Sequence, residues 1–132
     1  MVIDKTLSIF HFEDDKPTQL LIKKTMLMEF NAIISAESTL MNLDMYFDTH
    51  FMDDIDIIIC DVCFPTESAI SKIKTLARSK KPIIFNTSLD EDVFYEMVWD
   101  KLKDIPKNFH FIRKATTTGT RDLILKVREL TA

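Results

Sequence analysis

The chain alternates short apolar runs, rich in β-branched and aromatic residues, with longer stretches whose apolar residues recur every three or four positions. Leu7 to Phe12 is the first such run and predicts a strand. Asp15 followed by Pro17 has the form of a helix start, an acidic cap with proline in the first turn, and the helix runs to about Glu29. Ala32 to Ala36 predicts a second strand. Ser38 or Thr39 then caps a helix that carries Leu40, Leu43, Phe47 and Phe51 at helical spacing and ends before Asp53 and Asp54. Ile55 to Cys60 holds the consecutive Ile57, Ile58 and Ile59, as expected of a strand covered on both faces, and marks the sheet centre.

Beyond Pro65, the residues Ala69, Ile70, Ile73, Leu76 and Ala77 form the stripe of a third helix, and Pro82 to Phe85 predicts a fourth strand. Asp90 caps a fourth helix through Leu102, with Val93, Phe94, Met97, Val98 and Leu102 on its core face; Ile105 and Pro106 end it. Phe109 to Ile112 is a fifth strand, followed by a last helix carrying Leu123, Ile124, Val127 and Leu130. Strict alternation of five strands with five helices predicts an α/β fold, a doubly wound parallel sheet joined by right-handed crossovers. Sites in such folds gather at the carboxyl ends of the strands.

The length of 132 residues suits a single domain over 1–132 with no output domain, so any output is expected from its own surface. Hydrophobic residues make up 46% and charged residues 29%, which is a globular composition and not a disordered one. The net charge of -4 argues against direct nucleic-acid binding and favours a protein partner. No apolar run approaches the ~18 residues of a membrane span and no signal peptide opens the chain, which predicts a cytoplasmic protein. Gly119 is the only glycine, so turns that need positive φ are expected to fall to Asn or Asp, or to be avoided. The longest polar interruption is TTTGT at 116–120.

The predicted strand ends carry chemistry. The first ends in Glu13, Asp14 and Asp15, the third in Asp61, the fourth in Thr87 and Ser88, and the fifth in Arg113 and Lys114. Clustered carboxylates repel one another unless protons or a hard cation neutralise them, and Mg²⁺ is the common oxygen-loving candidate. A carboxylate beside such an ion is a nucleophile towards phosphorus, while a lysine and a hydroxyl help to neutralise the phosphoryl oxygens. Asp61, Lys114 and Thr87 suit those roles. Each alone reads more simply, as a helix cap, a solvated lysine or a turn threonine; their joint placement at four strand ends is what carries the signal.

The blocks FHFEDDKP at 10–17, DIDIIICDVCFP at 54–65, KPIIFNTS at 81–88 and FIRK at 111–114 resemble, in order and spacing, the signature blocks of response-regulator receiver domains of two-component signalling. The resemblance covers essentially the whole chain and implies a flavodoxin-like (βα)5 fold with strand order 2-1-3-4-5. By position it implies that Asp61 accepts a phosphoryl group and that Glu13 and Asp14 form the acidic pair. Asp14 and Asp61, with the backbone carbonyl of Cys63, would ligate Mg²⁺; Thr87 and Lys114 would contact the phosphoryl group. Phe111 would be the switch aromatic, repacking without the hydroxyl of a tyrosine. The implied partners are a sensor histidine kinase or phosphotransfer protein and a downstream protein target, read through the fourth helix, fifth strand and fifth helix. Tyr95 and Trp99, four apart on the fourth helix, are read as the start of a partner or homodimer surface on that face.

Ala115 stands where the family commonly has proline, so no cis bond is expected there, and the segment between Pro65 and Pro82 is short and lacks the usual glycine turn, so the third helix is expected to begin early or to be partly irregular. Cys63 and Leu89 flank the site and neither orients water readily, which predicts slow self-dephosphorylation. Cys60 and Cys63 have CxxC spacing but lie at a strand end without further ligands, and read as packing residues. His11, inside the first strand, reads as a packed or satisfied histidine. No Gly-rich phosphate loop or nucleophile elbow suggests an enzyme with turnover. The alternative to a phosphorylation switch is a pseudo-receiver, an interaction module independent of phosphorylation.

Overall fold

The computed structural model describes residues 6–114 and 119–132. Five parallel strands, β1 (Leu7–Phe12), β2 (Ala32–Glu37), β3 (Ile57–Cys60), β4 (Ile83–Thr87) and β5 (Phe109–Arg113), lie in the order β2-β1-β3-β4-β5. Five α-helices alternate with them: α1 (Lys16–Glu29), α2 (Leu43–Asp48), α3 (Ile73–Arg78), α4 (Glu91–Leu102) and α5 (Gly119–Leu130). The expected α/β fold and strand order are both present. Alternate strand residues feed two cores. Phe10, Phe12, Ile58, Phe85 and Phe94 pack on one face with α2, α3 and α4, while Ile9, Ile57, Ile59, Ile84, Leu123 and Val127 pack on the other with α1 and α5. β3 is fully buried, as its isoleucine run predicts. Among the described residues no helix is long and apolar enough to cross a membrane.

Several local expectations are corrected. The second helix starts at Leu43 and not after Ser38 or Thr39, and it stops at Thr49, whose backbone is extended and whose hydroxyl accepts from Phe51 N–H; a 3-10 turn, His50–Met52, follows. This break rotates the stripe, so Met52 is buried while Phe51 is half exposed. The third helix is indeed irregular, opening as a 3-10 turn, Ala69–Lys72, capped by the Ser68 hydroxyl. β3 starts two residues later than expected: at Asp56 the backbone N–H still donates to the Ser8 carbonyl at 2.8 Å, but the Asp56 carboxylate, and not a backbone carbonyl, accepts from Ser8 N–H at 2.8 Å. β4 runs on to Thr87 because Asn86 and Thr87 still pair with Ile112 and Arg113. Val93 faces solvent, and Phe94 and Val98 carry the α4 core contact.

Positive φ is taken neither by Gly119 nor by Asn or Asp but, among the described residues, by Lys80 and Lys103. Lys103 caps α4, donating its N–H to the Trp99 carbonyl at 2.7 Å. A lysine there accepts the αL cost, of about 1 kcal/mol, next to the negative end of the helix dipole. Ala115 and most of the TTTGT segment lie outside the described residues; elsewhere no peptide bond is cis.

Candidate functional site

Three of the candidate residues are each held by one ladder bond that continues past the strand they follow. Glu13 N–H donates to the Glu37 carbonyl at 2.9 Å, Asp61 N–H to Phe12 at 3.0 Å, and Lys114 N–H to Thr87 at 2.8 Å. The sheet therefore sets the positions of Glu13, Asp61 and Lys114 before any side-chain contact is made. Oxygens of Glu13, Asp14 and Asp61 all lie within 4.8 Å of one another. Glu13 and Asp61 are buried, and Asp14 is partly exposed at the mouth.

Lys114 ties the cluster together. Its ammonium lies 2.8 Å from Asp61 Oδ2 and 2.9 and 2.7 Å from the two Glu13 oxygens. The other Asp61 oxygen accepts from Val62 N–H at 2.7 Å, which fixes the plane of the carboxylate. Burial pushes the Glu13 carboxyl above its usual range, against the pull of Lys114. Burial also works against the Lys114 ammonium, but Asp61 and Glu13 outweigh it and hold its pKa above the ordinary lysine value. Three carboxylates against one ammonium leave an excess of negative charge in a set of hard oxygen donors. That donor set fits Mg²⁺.

Thr87 is buried at the end of β4, across the ladder from Arg113. Phe111 is half buried, its ring 5.4 Å from Phe94 and 6.2 Å from Tyr95. Cys63 is exposed and forms an isolated bridge with Ser68, while Cys60 is fully buried; both thiols are raised above the ordinary value, first by burial. Leu89 packs partly against the core beside β4. Tyr95 is half-buried in the aromatic cluster, while Trp99 is 52% exposed.

Three features went unread in the sequence. The Asp90 side chain makes no cap bond to α4; it pairs instead with Arg113 at 2.9 Å, tying the start of α4 to the end of β5. Asn86 donates to the Ile112 carbonyl at 2.9 Å and lines a cavity of about 150 Å³ with Thr18, Lys114 and Thr120, between α1 and α5. His11 is packed, as expected, but not satisfied: neither ring nitrogen has a partner, and burial, with Lys114, lowers its pKa to about 4. A histidine in an otherwise apolar strand was the available signal, but its lack of partners is visible only in three dimensions.

No protein-family model matches the chain, and no curated protein does. Solved structures do. A response regulator receiver protein from Sinorhizobium medicae matches with a TM-score of 0.74 at 15% identity over 96% of this chain and 94% of that one. The non-phosphorylated HemR receiver domain from Leptospira biflexa gives 0.73 at 12% identity, with the same coverage. A response regulator receiver domain protein from Clostridium thermocellum gives 0.70 at 17% identity, over 94% and 93%. The chain has the fold of response-regulator receiver domains.

Proposed function

We propose that the chain is a receiver-type signalling switch whose acceptor is Asp61. The observation that carries this reading is the Lys114 ammonium bridging Asp61 and Glu13 beside a three-carboxylate cluster, all on the carboxyl edge of a receiver fold. The donor is a phosphohistidine of a sensor kinase or phosphotransfer protein. An Asp61 oxygen attacks phosphorus, the P–N bond breaks and the departing imidazole takes up a proton, so the chain modifies itself and releases no product of turnover. Asp14, Asp61 and the Cys63 carbonyl, with Glu13 beside them, would hold Mg²⁺, which would supply charge neutralisation for the phosphoryl oxygens. Lys114 moves its contact from the Asp61 carboxylate to the new phosphoryl group, and the Thr87 hydroxyl turns to the same group. Phe111 repacks against Phe94 and Tyr95, which changes the α4–β5–α5 surface read by a downstream protein.

A second reading has its own support. Lys114 already neutralises the buried carboxylates, and Arg113 already clamps Asp90, so the unmodified chain has a settled site and a settled α4. This is what an interaction module independent of phosphorylation would need. Intact mass after incubation with Mg²⁺ and acetyl phosphate decides between them. One phosphoryl adduct, lost in Asp61→Asn, is the expected result; a folded chain that gains none favours the interaction module. Once formed, the adduct is expected to be long-lived, because the exposed Cys63 and half-buried Leu89 offer no group to orient water; a lifetime of seconds would overturn that part.

A further inference from the structure

β2 is last in the sheet order, so among the described residues its outer row of backbone groups has no strand beside it. The carbonyls of Asn31 and Glu37 accept from Leu7 and Glu13, so the odd positions serve β1. Alternation along the strand turns the N–H and C=O groups of Ala32, Ile34 and Ala36 outward. Exposed edges are ordinarily guarded by lysine, proline, a bulge or an inward charge. AIISAE carries none of these, and its single charge, Glu37, sits at the end, where the Tyr46 hydroxyl donates to it.

Apolar side chains flank this edge on both faces. On the α2 side Ile33 is 60% exposed, and Phe51, stacked on Tyr46 at 4.7 Å, is half exposed beside Met45. On the other side, Lys16 and Gln19 reach Ser38 just beyond β2, which turns that flank of α1 towards the edge. Leu20 and Leu27 follow Lys16 at helical spacing on the same flank, and both are about half exposed or more.

We propose that two copies of this chain pair antiparallel through β2 across a twofold axis, forming one continuous sheet. The register follows from the backbone. Ile34 meets its own counterpart and Ala32 meets Ala36, which uses every outward-facing group of the strand, as an isologous contact requires. In this register Glu37 falls opposite Asn31, whereas parallel pairing would bring the two Glu37 carboxylates together. The charge pattern therefore selects the twofold arrangement. The α1 helices come side by side, and Leu20 and Leu27 are covered together with Ile33. Nothing in this pairing depends on phosphorylation at Asp61.

Sedimentation equilibrium of the full chain tests it. A dimer is expected, weakened about tenfold or more by Ile33→Lys, an edge lysine, and by Ala36→Pro, which removes an outward donor and no internal one. Thermal melts show whether each variant folds. Independently, in a Cys63→Ser background, Ile34→Cys is expected to form a disulfide-linked dimer, because hydrogen-bonded antiparallel partners have Cα atoms about 5.5 Å apart. Ser35→Cys, offset from its counterpart along the strand, is expected not to. A chain that stays monomeric at every concentration overturns the proposal. So does a dimer that survives both edge variants, or one that is lost on Trp99→Ala at the opposite edge.

Discussion

At the β5 edge, Phe94, Tyr95 and Phe111 pack ring against ring, the strand carries His110 and Arg113, and Arg113 reaches across to Asp90. At the β2 edge the strand is almost uncharged, and the side chains around it, Ile33, Leu20 and Phe51, lie at the surface. Among the described residues, both β2 and β5 have a strand on one side only. One is closed by the chain's own aromatic and charged groups, and the other is left apolar and unguarded. An edge finished from within suits a surface whose shape changes with the site, since Phe111 is packed against Phe94 and Tyr95 within it. An unguarded apolar edge suits a permanent contact.

The largest effect expected from this contrast is on stability. Phe94→Ala empties a fully buried position in contact with Phe85, Phe111 and Tyr95, and is expected to cost about 3–5 kcal/mol. Phe51→Ala removes a half-exposed ring stacked on Tyr46 and is expected to cost about 1 kcal/mol in the monomer. Urea unfolding at concentrations low enough to keep the chain monomeric measures both. Equal costs would mean that the β2 edge is as tightly built as the β5 edge, and the contrast would fail.

Two histidines separate the same regions in their response to acid. His11, on β1 next to β2, is buried without partners, and burial lowers its pKa to about 4. His110, on β5, is only partly covered, and its pKa is also lowered, first by burial and then by Lys126. In both cases the folded pKa lies below the unfolded value of about 6.5, so the unfolded chain takes up the proton first as pH falls. The stability they contribute is complete above that value and is lost as pH drops through the folded pKa. For His11 the loss by about pH 4 approaches 3 kcal/mol. His11→Phe is expected to flatten the acid limb of a stability–pH curve, and His110→Phe to leave most of it; the reverse ranking would place the acid-sensitive strain at the β5 edge.

Much of this was legible in the sequence where a single principle governed. The isoleucine run of β3 and the Asp15–Pro17 helix start read correctly because burial on both faces and a proline in the first turn each leave one interpretation. The acidic and basic residues at the strand ends were visible as a set for the same reason: alternation dictates where strand ends converge. Competition defeated the rest. The Thr49 hydroxyl takes the Phe51 N–H and breaks a helix that periodicity alone would continue. Asp90 prefers Arg113 to its own helix, and lysines hold the left-handed positions. Neither edge could be ranked from sequence, because Leu20 and Leu27 look like core residues until α1 is placed against β2.

The smallest expected effect is the most discriminating between edges. In a dimer joined through β5, His110 and Arg113 of the two copies would lie near a shared axis. Because the His110 pKa is held below the ordinary value, the ring is neutral at pH 7 and gains charge only as pH falls further, adding repulsion between the copies. Such a dimer would weaken steadily from about pH 6.5 downwards. β2 itself carries no histidine, so backbone pairing there sets no imidazole of one copy against its counterpart in the other. Its dissociation constant is expected to change by less than about twofold as pH falls from about 6.5 to about 5, while salt-sensitive terms stay small because Glu37 faces Asn31. A dissociation constant that rises tenfold over the same interval would move the contact to β5 and leave the apolar band around β2 without an occupant.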